Sequence, residues 1–427
     1  MISFGGYPDL PADKQKNINL TYYIFSIFNQ KLPIFINHRL YENILISTNP
    51  NINIIMRKLL FLLALTLIIS EVTSGQSVRD LGTDSAHFQI PDIPGYFTLK
   101  CDFHMHTVFS DGVVWPHIRV DEAIAEGLDV ISITDHVEYH KKEVEDNNML
   151  AYEIAKKHAK GKDLILILGG EISASRDHFN ALFLKDPNEP TLRDKLPATR
   201  IAAAYKQEAF IFWNHPGWTA KYKDGNAPRD EEFIKLIKAG QIKGIEICNG
   251  GGYWEGAHQL VQEFDLTLLG NSDIHGVSTY QFQAENHRTI TLVFAREKSV
   301  EGVQEALLNH KTAIYQGDHL IGPEDLLKPL FFESLDIKTE YREGTSLASM
   351  TITNDSDFDF VCENNSSFNF YNGIDFFTLK AHTKTTIIIK TLEQLSEFSL
   401  DLLVHNALVG PGKSMELTIP VDGLLLP

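Results

Sequence analysis

The sequence predicts an α/β protein in which a β/α barrel is followed by a small all-β sandwich. Between residues 97 and 334, short apolar runs with the length of buried strands alternate with segments of helical periodicity, and this alternation is typical of parallel β/α units. Beyond Leu335 the pattern changes to short alternating stretches broken by Asn and Gly, which is typical of antiparallel strands. Residue types that bind metals follow the apolar runs, and in a β/α barrel those strand ends meet at one mouth.

The first strand leads from Tyr96 into two histidines one residue apart, His104 and His106. Side chains in an extended segment repeat with period two, so both imidazoles are expected to point to one side and to chelate one metal ion. Asp111 follows beside Gly112, where a turn can bring its carboxylate back towards the same point. An isolated pair of this kind is more often a pair of ordinary strand histidines, so the neighbouring strands decide the interpretation.

The later strands end in the same way. Apolar runs over 129–134, 164–170, 178–184, 209–214 and 266–272 are followed or opened by residues with ligand chemistry, which are His136, Glu171, His178, His215, Asp273 and His275. Histidine makes up only 17 of 427 residues, so chance does not explain its repeated occurrence at strand ends. A cavity cannot bury so many ligand-type side chains without cations. Taken singly, each of these residues has a plain structural role as its alternative, and His178, which can be an ordinary strand histidine, is the least secure.

The segments between the strands have helical periodicity. Helices are predicted over 147–160, 198–207, 230–239, 254–264, 300–309 and 324–334, and Pro116 is expected at the first turn of the helix after the paired histidines. Strands of the sandwich are predicted around 349–353, 385–390 and 414–420. The expected domains are a barrel over 76–334 and a sandwich over 335–427.

Taken together, these motifs resemble those of the PHP (polymerase and histidinol phosphatase) metallophosphoesterases, over roughly residues 98–320. The resemblance implies a distorted, TIM-like (β/α)7 barrel that holds up to three divalent metal ions. It implies that the first ion binds His104, His106, Glu171 and Asp273. It implies that the second binds Glu171, His178 and His215, and that the third binds Asp111, His136 and His275.

The donor set agrees with this grouping. Mixtures of imidazole and carboxylate suit zinc, manganese or iron, and a carboxylate such as Glu171 can bridge two ions. Two ions about 3.5 Å apart could hold a bridging hydroxide at neutral pH and clamp the oxygens of an in-line displacement at phosphorus. Asp135, next to His136, is interpreted as a group that orients a ligand histidine and not as a ligand.

Four further residues are candidates for the substrate side of the site. Trp115 and Arg119 lie on the loop and first helical turn after the paired histidines, and an arginine near helix N-terminal amides suits a phosphate. His140, four residues after His136, could protonate a leaving alkoxide. Tyr253, in a glycine-rich wall of the mouth, is a candidate substrate contact. Packing and surface roles are the alternatives for Trp115, Arg119 and His140.

The N-terminal region has the pattern of a targeting segment. Met56, Arg57 and Lys58 precede an apolar run over 59–69 and small residues over 73–75, as in a secretory signal peptide that starts at Met56. The run has 11 residues, which is short for a membrane span of about 20; a membrane anchor and a core helix are the alternatives. We expect a non-native upstream extension over 1–55, a signal peptide over 56–75, and a periplasmic or secreted protein without stable membrane insertion.

The charge limits the class of substrate. The formal net charge is −18, and removal of residues 1–75 leaves 52 acidic and 32 basic residues, or −20. Such a chain is not expected to bind a nucleic-acid polymer through a broad basic face, whereas a small phosphate ester can bind where divalent cations reverse the local sign. The 3 cysteines, an odd count, imply no disulfide framework.

The predicted activity is hydrolysis of small phosphodiesters by an exported enzyme. The segments 111–120 and 135–139 and the trailing sandwich are similar to those of exported PHP phosphodiesterases that hydrolyse small alkyl phosphate diesters. A phosphomonoesterase of the histidinol-phosphatase or nucleotide-phosphatase type is the first alternative, and it would need more cationic side chains to hold a dianion. A non-catalytic binding protein is the second. The oligomeric state does not follow from the sequence.

Overall fold

The computed structural model describes residues 88–141, 146–174, 177–226, 229–282 and 287–422. The expected upstream extension and signal peptide lie outside these ranges. Within them, every helix is too short or too polar to cross a membrane. All of the described residues belong to one compact unit, Leu81–Pro427.

The barrel contains two runs of parallel strands. The first run is β1 (Phe97–Asp102), β2 (Val130–Ile133) and β3 (Ile165–Ala174), and the second is β5 (Phe210–Asn214), β6 (Gly244–Asn249) and β8 (Thr267–Asn271). The strand β4 (Asp177–Leu182) joins the two runs and is antiparallel to both neighbours. Only two residues separate β3 from β4, too few for a crossover helix, so β4 must return antiparallel. The short strand β7 (Gly252–Tyr253) folds back on β6.

The barrel closes where β1 and β8 end. Met105 forms a parallel bridge with Ile274, and the His106 N–H donates to the Ile274 carbonyl at 2.9 Å. The Asp273 N–H donates to the His104 carbonyl at the same distance of 2.9 Å. The interior of the barrel is filled by buried apolar side chains such as Phe103, and the ligand-type residues lie at the carboxyl ends of the strands. The predicted distorted barrel is confirmed.

Helices cover the outside of the barrel. They are α1 (Pro116–Ala125), α2 (Met149–Ala159), α3 (Pro197–Lys206), α4 (Glu231–Lys238), α5 (Glu255–Phe264), α6 (Ser278–Gln281), α7 (Val300–Leu308) and α8 (Glu324–Glu333). Pro116 and Pro197 open α1 and α3, where a missing N–H costs nothing. Asp230 caps α4 by accepting the N–H groups of Glu232 and Phe233, at 2.8 and 3.3 Å.

The sheet of the barrel continues into the C-terminal domain. The strand β9 (Ile290–Ala295) is antiparallel to β1, β10 (Thr312–Gln316) is antiparallel to β9, and β11 (His319–Ile321) is antiparallel to β10. In turn β11 is parallel to β18 (Phe398–Gly410) of the C-terminal domain, with Leu320 opposite Ala407. The hydrogen-bonded ladder therefore joins the two domains directly.

The C-terminal domain is the predicted antiparallel sandwich. One sheet has the order β12 (Leu335–Tyr341), β13 (Leu347–Asn354), β17 (Thr383–Lys390), β15 (Asn369–Phe370). The other contains β14 (Phe360–Asn364), β16 (Phe376–Leu379), β18 and β19 (Lys413–Val421). Alternate residues of β13, among them Met350 and Ile352, are buried in the same core as Leu402 and Leu417 of the opposite sheet. Every second residue of the strand is thus buried between the two sheets, which confirms the predicted sandwich.

Candidate metal centre

All nine predicted metal ligands lie at one mouth of the barrel. Six imidazoles and three carboxylates form overlapping groups in which the ligand atoms lie within 4.8 Å of one another; they are His104, His106, Asp111, His136, Glu171, His178, His215, Asp273 and His275. Most of them follow the carboxyl ends of strands. His178 instead lies near the start of the antiparallel β4, in register with Ser173 and Asn214, and this reversal brings it level with the other ligands.

Glu171 is the central carboxylate of the cluster. Its side chain is 1% exposed and faces the nitrogens of five histidines, which are His178 at 2.9 Å, His106 and His136 at 3.3 Å, His104 at 3.6 Å and His215 at 3.8 Å. The two carboxylate oxygens divide these contacts between them. The arrangement is suited to a carboxylate that bridges two cations.

Asp273 forms the second inner carboxylate. Its Oδ1 lies 3.2 Å from Nε2 of both His104 and His106, and its Oδ2 lies 3.9 Å from Nε2 of His215. The contacts of Glu171 and Asp273 thus both include His104 and His106. That these four residues bind the first ion, as the resemblance implies, stays a prediction.

The remaining carboxylate, Asp111, lies nearer to solvent. Its Oδ2 is 3.3 Å from Nε2 of His275 and 3.5 Å from Nε2 of His136, and its Oδ1 is 3.2 Å from Nδ1 of His106. Asp111 is 40% exposed and His275 38% exposed, whereas the inner carboxylate Glu171 is 1% exposed. An ion held by Asp111, His136 and His275 would therefore exchange with solvent more readily than the inner ions.

Two unpartnered atoms test whether these residues fit metal ions. His104 Nε2 and Asp273 Oδ1 are buried and have no hydrogen-bond partner among the described residues. The Nδ1 of His104 lies 2.8 Å from a carboxylate oxygen of Glu246, which can only accept, so in the neutral ring Nδ1 carries the hydrogen and the lone pair is on Nε2. The buried lone pair of Nε2 faces two carboxylates and no hydrogen-bond donor, which is the environment that a cation requires. The nitrogen and oxygen ligand atoms suit zinc, manganese or iron.

Without cations, protons compensate the carboxylates. Burial alone would lower the pKa of His106, but the close contacts with the carboxylates of Asp111 and Asp273 and the charge of Glu171 outweigh burial and raise this pKa to about 10. Burial opposes the charges of Asp273, Glu246 and Glu171 at His104 as well, and the pKa of His104 still rises well above its usual value. In the unfolded chain the histidine pKa is about 6.5, so below this pH the contacts between the protonated histidines and the carboxylates stabilise the metal-free fold in full. The contribution of His106 is lost as the pH rises through about 10, where this histidine loses its proton in the folded protein. A metal ion must displace these protons, so its affinity rises with pH.

Glu246 is an important residue that sequence reasoning missed. It is completely buried, and besides His104 its carboxylate accepts the His215 N–H at 2.8 Å and the side-chain amides of Asn249 and Asn271 at 2.9 Å. It therefore fixes the ring of one predicted ligand and the backbone of another. A single acidic residue in the middle of the apolar strand β6 was the available signal.

Asp135 fastens the loop that carries Asp111. Its carboxylate accepts the Thr107 N–H at 2.7 Å, the Thr107 hydroxyl at 2.6 Å and the Ser110 hydroxyl at 2.6 Å. The Ser110 hydroxyl in turn lies 3.4 Å from Nδ1 of His106. Asp135 thus reaches a ligand histidine through Ser110 and not through its neighbour His136.

Two predicted ligands have left-handed backbone conformations. The φ angle is +28° at His215 and +51° at Asp273, a region that residues other than glycine rarely adopt. Each such residue costs about 1–3 kcal/mol, and the surrounding structure must hold it in place. The hydrogen bond from the His215 N–H to Glu246 and that from the Asp273 N–H to the His104 carbonyl do so here.

The prediction that Arg119 binds substrate is wrong. Its side chain is 0% exposed, and its guanidinium donates to the carbonyls of His106 at 3.0 Å, Gly276 at 2.7 Å and Ile274 at 3.2 Å. It also pairs with Glu122 at 2.7 Å. These bonds hold Arg119 beneath the mouth, where it joins the segments that follow β1 and β8.

The other substrate-side candidates have different surroundings. Trp115 is 49% exposed, on a loop whose Val113 N–H donates to the His275 carbonyl at 2.9 Å. His140 Nδ1 lies 3.1 Å from Asp146, and the Tyr253 hydroxyl lies 3.0 Å from Nδ1 of His258. Burial raises the pKa of this hydroxyl to about 12. Among the described residues, neither His140 nor Tyr253 hydrogen-bonds a predicted ligand, and the roles of all three remain predictions.

Two lysines that sequence reasoning did not single out lie beside predicted ligands. Lys221 Nζ lies 3.1 Å from Nε2 of His178. Lys141 donates to the carbonyl of Gly112, the residue after Asp111. No local sequence pattern marks either lysine, because both come from loops whose path is set by the fold.

Comparisons with known proteins agree with the fold and with its two-domain organisation. One solved crystal structure is that of a two-domain protein of Bacteroides vulgatus, described as containing a predicted PHP-like metal-dependent phosphoesterase. Its sequence is 38% identical to this chain, and the two structures superpose with a TM-score of 0.74. The match covers 80% of this chain and 100% of that one. An uncharacterized protein of Methanocaldococcus jannaschii is 27% identical over 189 residues, which are 42% of this chain and 82% of that protein.

The C-terminal domain matches a family model of its own. This model, described as an Ig-like domain, covers residues 335–420, which contain the sandwich. The protein from Bacteroides vulgatus also has two domains, and this chain matches it over its full length. With its convergent metal-ligand residues and its trailing sandwich, this chain belongs to the family of two-domain PHP-like metal-dependent phosphoesterases.

Proposed function

We propose that this protein is an exported, metal-dependent phosphodiesterase that hydrolyses small phosphodiesters at a site of three divalent metal ions. The observation that carries the proposal is the convergence of six imidazoles and three carboxylates at one mouth of the barrel. The unpartnered atoms His104 Nε2 and Asp273 Oδ1 within this cluster support cations as its occupants. Membership of a phosphoesterase family supports an ester of phosphate as the substrate.

The contacts support a division of the ligands into three sets. His104, His106, Glu171 and Asp273 would hold the first ion. Glu171, His178 and His215 would hold the second, so that Glu171 bridges the inner pair. Asp111, His136 and His275 would hold the third, in the more exposed part of the mouth.

When bound, such ions supply Lewis acidity towards the phosphoryl oxygens and an activated water at neutral pH. The protein supplies orientation. The Asn214 amide donates to Glu171 Oε1 at 2.9 Å, which fixes the plane of the bridging carboxylate, and Glu246 fixes the ring of His104. We propose His140, whose ring is held by Asp146 at 3.1 Å, as the group that protonates the leaving alkoxide.

The surroundings of the mouth favour a diester. A diester carries one negative charge and two ester groups, whereas a monoester dianion carries two charges and needs more cationic partners. The indoles of Trp115 and Trp218, 49% and 43% exposed, lie on loops next to predicted ligands and are suited to ester groups. Arg119, which could have served a dianion, is fully engaged below the site. The lysines Lys141 and Lys221 are the observation in favour of the alternative, a phosphomonoesterase.

We expect metal-loaded protein to hydrolyse bis(p-nitrophenyl) phosphate with a higher kcat/KM than p-nitrophenyl phosphate, by about tenfold or more. The reason is the match between one negative charge and a mouth with few cationic side chains. Metal content by mass spectrometry and kcat/KM for both esters would be measured on the same preparation. His104→Asn should lose metal and activity, and the matched variant His117→Asn, at a partly exposed position of α1 that contacts His158, should keep both.

Other outcomes identify the alternatives. Faster hydrolysis of the monoester would indicate a phosphomonoesterase. Stoichiometric metal without hydrolysis of either ester would indicate a non-catalytic binding protein.

Export is the second part of the proposal, and it rests on the sequence over 56–75. When the chain is expressed from Met56 in a bacterial host, we expect it outside the cytoplasm with a mature N-terminus near Gln76, because signal peptidase cleaves after small residues. Fractionation and N-terminal sequencing measure this. Uncleaved protein in the membrane fraction would support an anchor, and uncleaved protein in the cytosol would refute export.

A further inference from the structure

We propose that Lys221 and Trp218 form the substrate-binding wall of the site, in which the Lys221 ammonium binds a non-bridging phosphate oxygen and the Trp218 indole packs against one ester group. Both residues belong to the loop that follows β5, which is named here the 215–226 loop. The inference rests on the proposed phosphodiesterase function for the identity of the ester, and on the contacts of the loop for the roles of the two residues.

Lys221 carries a charge that is not paired by a carboxylate of the described residues. It is partly buried, and its Nζ lies 3.1 Å from Nε2 of His178, a predicted metal ligand. In the part of the chain that the structure describes, Lys221 forms no ion pair within 4.0 Å, although Lys100, for example, pairs with Asp129 at 2.7 Å. A partly buried ammonium without a carboxylate partner, directed at the metal-ligand cluster, is well placed for an anionic ligand.

Metal binding would leave Lys221 without its present partner. In the structure His178 directs Nδ1 at Glu171, at 2.9 Å, and Nε2 at Lys221. A neutral imidazole has one lone pair, so a histidine that gives the lone pair of Nδ1 to a cation carries its hydrogen on Nε2. An N–H cannot accept from an ammonium. Lys221 then requires another acceptor in the mouth, and a phosphate oxygen of the substrate is such an acceptor.

Trp218 provides the apolar half of the wall. Its ring lies 5.4 Å from the ring of His215 and 6.5 Å from that of His178, and the side chain is 43% exposed. Lys221 Nζ lies 5.2 Å from the centre of the indole, which helps to hold the ammonium. A half-exposed indole beside two predicted ligands can bury an alkyl or aryl ester group.

The 215–226 loop is held rigidly, as a binding surface requires. The Trp218 N–H donates to the His215 carbonyl at 3.0 Å, and the Tyr222 N–H donates to the Trp218 carbonyl at 2.8 Å. The Tyr222 hydroxyl donates to Asp177 at 2.9 Å, and the same carboxylate accepts from the Trp213 indole at 3.1 Å. The wall is therefore preorganised, and little entropy is lost when a ligand binds.

The experiment measures binding of inorganic phosphate, the anionic part of any phosphate ester, to metal-loaded protein by calorimetry. Lys221→Met is expected to weaken this binding about tenfold or more, because a hydrogen bond to a charged group is lost, while metal content remains unchanged. The matched control is Lys223→Met, which removes the same charge from an exposed position two residues away and should bind phosphate like the wild type. Trp218→Ala is expected to weaken phosphate binding less than Lys221→Met does, and to raise KM for bis(p-nitrophenyl) phosphate severalfold with little effect on kcat.

Wild-type phosphate affinity in Lys221→Met at full metal content would overturn the inference, as would equal losses in Lys221→Met and Lys223→Met. An unchanged KM in Trp218→Ala would overturn the role of the indole. Failure of the proposed function looks different: wild-type protein would then bind phosphate in a Lys221-dependent manner but would hydrolyse no diester.

Discussion

Replacement of Glu171 by Gln is expected to remove bound metal and to lower kcat/KM by at least about 100-fold, beyond the range for residues that only orient ligands. Glu171 faces five imidazole nitrogens at 2.9 to 3.8 Å and is the carboxylate that would bridge the inner ions. Glutamine has the same shape but no negative charge. It therefore cannot compensate the charge of two cations that share one ligand.

Metal content and kcat/KM of Glu171→Gln would be measured after reconstitution with zinc or manganese. Glu208→Gln is the matched control, since Glu208 is 77% exposed and pairs with Lys185 on the surface. A Glu171→Gln protein that retains the full metal complement of the wild type would refute the bridging role. Loss of metal in both variants would show that the effect is not specific to the cluster.

Replacement of Arg119 by Met is expected to lower the free energy of unfolding by about 3–5 kcal/mol, the range for breaking a buried charged network. Methionine fills much of the same volume but leaves the carbonyls of His106, Ile274 and Gly276 without their donor, and leaves Glu122 without its partner. An unsatisfied buried acceptor costs about 1–3 kcal/mol, so several at one position account for the size of the effect.

Urea unfolding of the metal-free protein measures this change. The matched control is Arg229→Met, because Arg229 is 60% exposed and pairs with Glu263 on the surface, where its removal should leave the unfolding midpoint unchanged. Arg119→Met should also bind metal more weakly than the wild type, because Arg119 holds the backbone of His106 and the segment that carries His275. An unfolding free energy within error of the wild type would refute the role assigned to Arg119.

Arg119 also shows where spacing along the chain is insufficient. Its position on the first turn of α1 placed it correctly near the mouth, because loops after barrel strands lie there. Its direction depends on which face of α1 packs against the barrel. Val120 and Ala123 are buried on that face, and the neighbouring Arg119 side chain is directed inwards to carbonyls that belong to residues about 155 positions away. Such distant acceptors leave no local pattern.

Glu246 and Lys221 were missed for related reasons. Glu246 lies in a strand whose apolar neighbours indicate burial, so its charge was a signal that the strand faces a polar site. The identity of its partners, His104 and the His215 backbone, depends on strands distant in sequence. Lys221 occupies an irregular loop, and its approach to His178 depends on the antiparallel return of β4.

The ligand set, in contrast, could be predicted from local sequence. Each predicted ligand except Asp111 follows or opens an apolar run, and the common end of barrel strands is a property of the fold class and not of particular contacts. The antiparallel return of β4 was not predicted, because the two-residue separation between β3 and β4 follows from strand bounds that only the structure shows. What the chain by itself determined was therefore the order of strands and helices, the sandwich after the barrel and the residues that gather at the mouth. Only the tertiary structure decided which polar groups orient those residues, which cation faces the site and which lies beneath it, because hydrogen bonds between segments far apart in sequence set the direction of each side chain.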